Sequence, residues 1–276
     1  MPYLDFKNKK IYYRVEGKGK PILFLHGFGE DGSVWEPQIE KFKKDFQVIV
    51  PDLPRSGQSE MLEGAGTLED YAEVVNKIAA VEIMGRQGES SFSLIGHSMG
   101  GYIALVFAQK YGHLLNSFGL FHSSALADDP EKIVTRKKSL EFITKNGVEN
   151  YFRSSVPNLF SEESQNNKKG LITKLIELAG NLSEEVIVQY TLAMINRKDT
   201  TQVLKAFTKP VLFIIGIHDK AVPLEASLKQ CHLPGSNSVH FLQHSGHLGM
   251  WEEEDLSNTY LQHFFNGFVY PREIIK

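Results

Sequence analysis

Six short apolar runs punctuate the chain: PILFLHG (21–27), FQVIVPD (46–52), SFSLIG (91–96), SFGLFHS (117–123), KPVLFIIG (209–216) and SVHFLQH (238–244). Most are apolar for five or six residues in succession, which suits strands covered on both faces, as in a parallel sheet. Amphipathic stretches lie between them, starting near Ser33, running from Thr67 to about Gly85, and following Ser98, Pro223 and Trp251. Thr67 and Asp70 have capping-box spacing, with Asp in place of the usual Glu or Gln. Strand and helix alternating in this way predict an α/β fold, a mostly parallel twisted sheet flanked by helices. The alternation lapses between about Ser124 and Phe207. Only helical periodicity is found there, in EKIVTRKKSLEFITKNG and KGLITKLIELAG, with a polar loop SEESQNNKKG between them. The strand pattern resumes at Pro210, so the expected division is an α/β core of residues 1–123 and 208–276 with a helical cap inserted at 124–207.

Composition fits this picture. The 276 residues suffice for one large domain or a domain with an inserted subdomain. Apolar residues make up 42% and charged residues 23%, enough to build a substantial buried core. The formal net charge of −3 supplies no field favouring nucleic acid or an acidic membrane surface. No stretch approaches the ~18 apolar residues of a membrane span, and the N-terminal MPYLDFKNKKIYYRVEG lacks a signal-peptide core. The expected location is the cytoplasm. A single cysteine, Cys231, excludes an intramolecular disulfide framework and reads as a half-buried packing residue.

Gly96-His97-Ser98-Met99-Gly100 forms a G-x-S-x-G turn between an apolar run and a helix, the context a nucleophile elbow requires. Such a serine adopts a strained backbone costing roughly 1–3 kcal/mol. Flanking glycines let strand and helix pass without Cβ clashes. A serine hydroxyl needs a base, itself oriented by an acid. Asp219 follows the run KPVLFIIG and His247 follows SVHFLQ, so Ser98, Asp219 and His247 all fall at carboxyl ends of predicted strands, where open α/β sheets build their sites.

These residues carry a resemblance. LFLHGFG, VIVPDLPRSGQS, LIGHSMGG, PVLFIIGIHDKAVP and SGHLGMWE together resemble the α/β-hydrolase superfamily, in the branch with HGxG and GHSxGG motifs and a helical cap. The order Ser98, Asp219, His247 is the order that family uses. The resemblance implies a cofactor-independent serine esterase with that triad and an oxyanion hole from the backbone N–H groups of Phe28 and Met99. His26, Phe28, Met99, His122 and Ser123 are the expected substrate-binding residues. Some family members place the triad acid after the strand that leads into the cap, which makes Asp128 and Asp129 the fallback. Otherwise these two cap the first inserted helix. Two departures stand out: Arg55 occupies a position where the family favours glycine, and Tyr102 stands where one menaquinone-pathway branch has arginine. Ser98 also disfavours the aspartate-nucleophile dehalogenases and epoxide hydrolases of the same fold.

Other readings compete. GFGEDG (27–32) satisfies G-x-G-x-x-G, and Asp52 follows about 20 residues on, as a dinucleotide fingerprint expects. Against it, Glu30 and Asp31 place like charges where a pyrophosphate would bind. His97 reads as packing beneath the elbow. His244 precedes His247 by three residues, but no third ligand makes the two a metal pair. TRKKSLEF, with Lys132 and Lys145 nearby, is a basic segment, read as a solvated helix face or as a docking patch for an acidic acyl-carrier protein. The expected substrate is a small-molecule ester or thioester of a small to medium apolar acid. C–C bond hydrolysis, cofactor-free perhydrolysis and a non-catalytic ligand receptor are the alternatives.

Overall fold

A computed structural model describes residues 2–62, 66–84 and 91–270. The predicted runs are strands: β3 (Lys20–Leu25), β4 (Phe46–Pro51), β5 (Phe92–His97), β6 (Leu115–Phe121), β7 (Val211–Gly216) and β8 (Asn237–Leu242). They are preceded by β1 (Tyr3–Phe6) and β2 (Lys9–Glu16), and the eight strands form one sheet in the order β1-β2-β4-β3-β5-β6-β7-β8. β1, β2 and β4 pair antiparallel and the others parallel. The α/β class expected from the pattern is the one observed.

The β1–β2 hairpin was not signalled, because charged residues break its apolar character. Its turn is nonetheless written in the sequence. Lys7 and Asn8 take φ of 49° and 63°, two successive left-handed residues that match the twist of a tight hairpin.

The parallel strands are buried on both sides. Ile22 and Phe24 pack with Trp35, Phe42 and Trp251 on one face, while Leu23 and Leu25 pack with Tyr71, Val75, Ile103 and Phe107 on the other. The covering helices are α1 (Glu36–Phe42), α2 (Leu68–Ala79) and α3 (Met99–Tyr111), with α10 (Leu224–Leu228), α11 (Gly249–Glu252) and α12 (Glu254–Phe264) nearer the C-terminus. Thr67 and Asp70 form the expected capping box at the start of α2. This helix continues as wider turns over Ala80–Met84, and the expected end near Gly85 lies outside the described residues.

Between β6 and β7 the chain runs through α4 (Pro130–Asn146), α5 (Val148–Ser155), α6 (Glu162–Asn167), α7 (Lys169–Gly180), α8 (Glu184–Ile195) and α9 (Thr201–Ala206). The stretch expected as a polar loop is α6. Its N-cap Ser161 accepts from Ser164 N–H, and Glu162 and Glu163 lie in its first turn, where acidic residues complement the helix dipole. α5, α8 and the segment between α5 and α6 reach the loops that follow β3, β4 and β8, through Phe152 on Phe28, Tyr190 on Pro54 and Leu159 on His247, while α9 packs against α3. Tyr190 of α8 hydrogen-bonds Ser56 Oγ at 2.9 Å and donates to Pro54 O at 2.6 Å. Arg55 takes φ of 73°, the left-handed conformation a glycine would adopt freely, and its guanidinium reaches Ser183 Oγ and Glu185, each at 3.0 Å. The departure at position 55 thus exchanges backbone ease for a tie to the inserted helices.

Candidate active site

Ser98 is the point where β5 becomes α3, with φ 50° and ψ −116°, a combination hostile to any side chain. A Cβ on Gly96 would run into the Gly100 carbonyl, and one on Gly100 would lie 2.5 Å from Leu25 O, so strand and helix can cross only with glycine at both positions. Ser98 N–H donates to Phe121 O at 3.0 Å, and Ser98 O accepts from Gly101 N–H at 2.9 Å and from Ser123 Oγ at 2.7 Å. Held on both sides, the backbone leaves the serine side chain partly open to solvent while its neighbours are buried.

Asp219 follows β7 and His247 follows β8. Asp219 Oδ1 accepts from the N–H groups of Ala221 and Val222 at 2.8 and 2.9 Å, which fixes the carboxylate plane. Its Oδ2 lies 2.8 Å from His247 Nδ1. In the neutral ring such a contact selects the tautomer with the proton on Nδ1, whose other nitrogen, Nε2, is an acceptor. Burial pushes the Asp219 carboxyl up, but the charge and hydrogen bonds of His247 and His122 outweigh it and hold the group far below the usual carboxylate range. Neither Ser98 Oγ nor His247 Nε2 hydrogen-bonds a described residue, so the structure contains the Asp219–His247 contact and no Ser98–His247 hydrogen bond.

The loop after β3 carries HGFGEDG. The Phe28 N–H has no acceptor among the described residues, and the Met99 N–H opens α3, where no intrahelical acceptor exists. Acids of the loop and of the next strand end take several neighbouring donors. Gly27 N–H donates to Glu30 Oε2 at 2.6 Å and Gly32 N–H to Asp52 Oδ1 at 2.9 Å, while Asp31 caps Ser33 N–H at 2.8 Å. The first and last glycines of the motif thus give their N–H groups to carboxylates, where a pyrophosphate would meet like charge, which counts against the dinucleotide reading.

Three expected substrate-binding residues turn elsewhere. His26 donates from Nδ1 to Gly27 O and accepts Leu53 N–H at Nε2, both at 2.9 Å, so it ties the loop after β3 to the loop after β4. His122, with φ 49°, accepts Gly249 N–H at Nε2 at 3.2 Å and points Nδ1 at Asp219 Oδ2, 3.3 Å away. Gly216 N–H also reaches Nδ1, at 3.1 Å. Burial keeps the ring below its usual histidine value despite the carboxylate beside it. Ser123 spends its hydroxyl on the Ser98 carbonyl. Strand alternation and the protein's own carbonyl and N–H groups claim all three. Phe28 stays partly exposed, its ring 5.9 Å from that of Phe152 on α5, while Met99 is buried.

The remaining candidates separate cleanly. His97 is buried beneath the elbow as expected. His244 is exposed and paired with Glu163 at 3.0 Å, away from Asp219. Asp129 caps α4 by accepting Lys132 N–H at 2.8 Å. Asp128 is no stand-in for the triad acid, because Arg136 Nε at 2.6 Å and Arg197 Nη1 at 2.7 Å hold its buried carboxylate at the root of α4. Removing one partner of a buried charge cluster typically costs about 3–5 kcal/mol, and Asp128→Ala is expected to lose that much in denaturant unfolding at neutral pH. Burial raises the Asp128 carboxyl, but the two arginines outweigh it and hold the group below 3.8. Its stabilisation is therefore present above that ordinary value and lost as pH falls through the folded one, so the gap between variant and parent narrows in acid. A gap that is constant from pH 7 to pH 3 contradicts this.

Sequence reasoning missed Glu252. Buried on α11, it accepts Gly246 N–H at 2.9 Å and Leu248 N–H at 3.1 Å through Oε1, and Ser161 N–H at 2.8 Å through Oε2. His247 N–H donates to Leu159 O at 2.6 Å. The histidine is thus held between its own loop and the segment joining α5 to α6. An acid following the apolar GMW at 249–251 was the only available signal.

A curated (E)-2-((N-methylformamido)methylene)succinate hydrolase from Acinetobacter baylyi is 35% identical over 96 residues, 35% of each chain. The chain spans about a third to two fifths of the length of the first curated relatives it matches. A 2-hydroxy-6-oxo-6-phenylhexa-2,4-dienoate hydrolase from Comamonas testosteroni is 23% identical, matched over 92% of this chain and 90% of its own. Among solved structures, a thermophilic esterase from Thermogutta terrifontis is 27% identical with a TM-score of 0.86, covering 93% of both chains. Among the described residues no helix is long and apolar enough to cross a membrane. The profile of the alpha/beta hydrolase fold matches residues 20–254, and the chain belongs to that family of hydrolases.

Proposed function

We propose that this hydrolase cleaves a carboxylic ester or thioester of a small to medium apolar acyl group through an acyl-enzyme. The observation that carries the reading is the Asp219–His247 contact at 2.8 Å, made at the carboxyl ends of the strands where Ser98 stands on a strained elbow. Ser98 Oγ attacks the acyl carbon as its proton passes to His247 Nε2, and the carbonyl electrons move to oxygen. The N–H groups of Phe28 and Met99 stabilise that oxyanion, each worth about 3–4 kcal/mol in the transition state. Protonated Nε2 then gives its proton to the departing alkoxide or thiolate. Water repeats the sequence on the acyl-enzyme, with His247 again as base. The serine–histidine bond tightens when substrate enters, since resting sites commonly leave it long. Phe28 and Phe152 supply an apolar wall for the acyl group, and the inserted helices form the lid above it.

A fluorophosphonate probe is expected to label the wild-type chain once, at Ser98, and chromogenic esters of increasing acyl length are expected to show one preferred range. A hydrophobic pocket separates adjacent chain lengths by only ~1–3 kcal/mol, so the optimum will be broad. No labelling and flat, feeble ester rates sink the reading. The same triad could also serve C–C bond hydrolysis, which the near full-length similarity to a dienoate hydrolase favours as the second reading. Turnover of a vinylogous ketone with feeble ester activity selects it.

A further inference from the structure

Two buried residues beneath the site have no place in the steps above. Glu30, 3% exposed, and His97, fully buried, face each other with Oε2 and Nδ1 3.0 Å apart. His97 Nε2 lies 2.8 Å from the His247 carbonyl oxygen. Each ring nitrogen thus faces an oxygen, and a neutral imidazole carries only one N–H. Two arrangements satisfy the pair: an imidazolium with a carboxylate, or a neutral ring with a protonated Glu30. The Gly27 N–H favours the first. It donates to the same Oε2 that faces His97 Nδ1, and a carboxylate oxygen takes two donors where a carboxyl oxygen carrying its own proton is a poor acceptor.

We propose that Glu30 and His97 form a buried charged dyad that positions the oxyanion loop against the backbone of His247. The proposal rests on the hydrolase reading above. One end holds the start of the loop bearing the Phe28 N–H, and the other holds the carbonyl of the general base. The dyad is in effect a strut, setting the distance between the group that stabilises negative charge and the group that moves the proton. A carboxylate and an imidazolium sustain each other where either alone would be expelled from the interior. Burial raises the Glu30 carboxyl and lowers the His97 ring, but each partner's charge and hydrogen bond outweigh it, so Glu30 stays below and His97 above its usual range. Other titratable groups face the dyad: the His247 ring with centroids 4.8 Å apart, the His122 ring at 6.0 Å, and Asp219 and His26 through space.

The test has two independent arms. In nitrogen-15 NMR of the wild-type chain at pH 7, both ring nitrogens of His97 are expected to carry protons, and Glu30→Gln is expected to return one of them to the unprotonated form. One bare nitrogen in the wild type overturns the charged dyad, whatever the enzyme hydrolyses. In kinetics, Glu30→Gln is expected to lower kcat about 100-fold, the scale of a misplaced oxyanion donor, with KM changed less than about threefold because the lost interaction belongs to the transition state. An increase in KM at unchanged kcat overturns the positioning role. If neither the wild type nor the variant turns over any ester, the hydrolase reading has failed, and the NMR arm still decides the dyad.

Discussion

Ser98→Ala is expected to lower kcat by at least about 10⁴-fold toward any ester the wild type accepts, in line with the collapse seen when a triad nucleophile is deleted. Fluorophosphonate labelling disappears with it. The fold is expected to persist, because the elbow is set by Gly96, Gly100 and the bonds from Phe121 and Ser123 rather than by the hydroxyl. Ser98→Gly sharpens the argument. A residue at φ 50° and ψ −116° stores strain of about 1–3 kcal/mol that glycine does not suffer, while glycine gives back roughly 0.4–1 kcal/mol through its looser unfolded chain. Ser98→Gly should therefore be inactive yet melt no lower than Ser98→Ala. A glycine variant that melts well below the alanine one would show that the backbone is not strained there. Residual esterase activity in either purified variant, beyond a thousandth of the parent, would remove Ser98 from the mechanism.

Asp219→Asn carries the second large effect. Three donors face this carboxylate, the N–H groups of Ala221 and Val222 and Nδ1 of His247, and the His122 ring lies against it with Nδ1 3.3 Å from Oδ2. An amide presents one oxygen and two hydrogens, so an asparagine oxygen kept on the backbone turns its NH2 toward the two rings. His247 then has to accept at Nδ1, and its proton moves to Nε2, the atom that must take the serine proton. Loss of the correct tautomer costs about 10⁴-fold in kcat where this exchange has been made in a serine protease, and a comparable fall is expected here. Probe labelling rates should fall in step, since both measure nucleophile activation. A loss below about tenfold would mean that His122 or another group orients the base.

Much of this site was legible in the chain. Long apolar strands announced themselves because burial on both faces forbids polar interruptions. Ser98, Asp219 and His247 were legible because each sits where a strand ends, and a strand end is a fixed place in an open sheet. What escaped has a common cause. The β1–β2 hairpin lies at a sheet edge, where charged residues are tolerated and apolar runs are short. His122, Ser123 and His26 lie at the expected strand ends, and their polar atoms meet the protein's own groups. A side chain at a strand end can face the ligand or turn back to the backbone, and only the assembled loops decide which carbonyls and N–H groups need satisfying. Glu30, counted at first only as a charge hostile to phosphate, meets His97 across 67 residues of sequence, a separation that local pattern does not register.

The bonds from His247 N–H to Leu159 O, and from Ser161 N–H to Glu252, bear on how such an enzyme could be recombined. Helices inserted between two strands look like a detachable module, free to be exchanged between relatives to retune what is hydrolysed. Here the stretch around residues 159–161 is hydrogen-bonded to His247, the base of the proposed mechanism, and to Glu252 beside its loop. A chimera that imports another insertion must therefore reproduce a carbonyl and an amide at those two points, or the transplanted specificity will arrive with a displaced base.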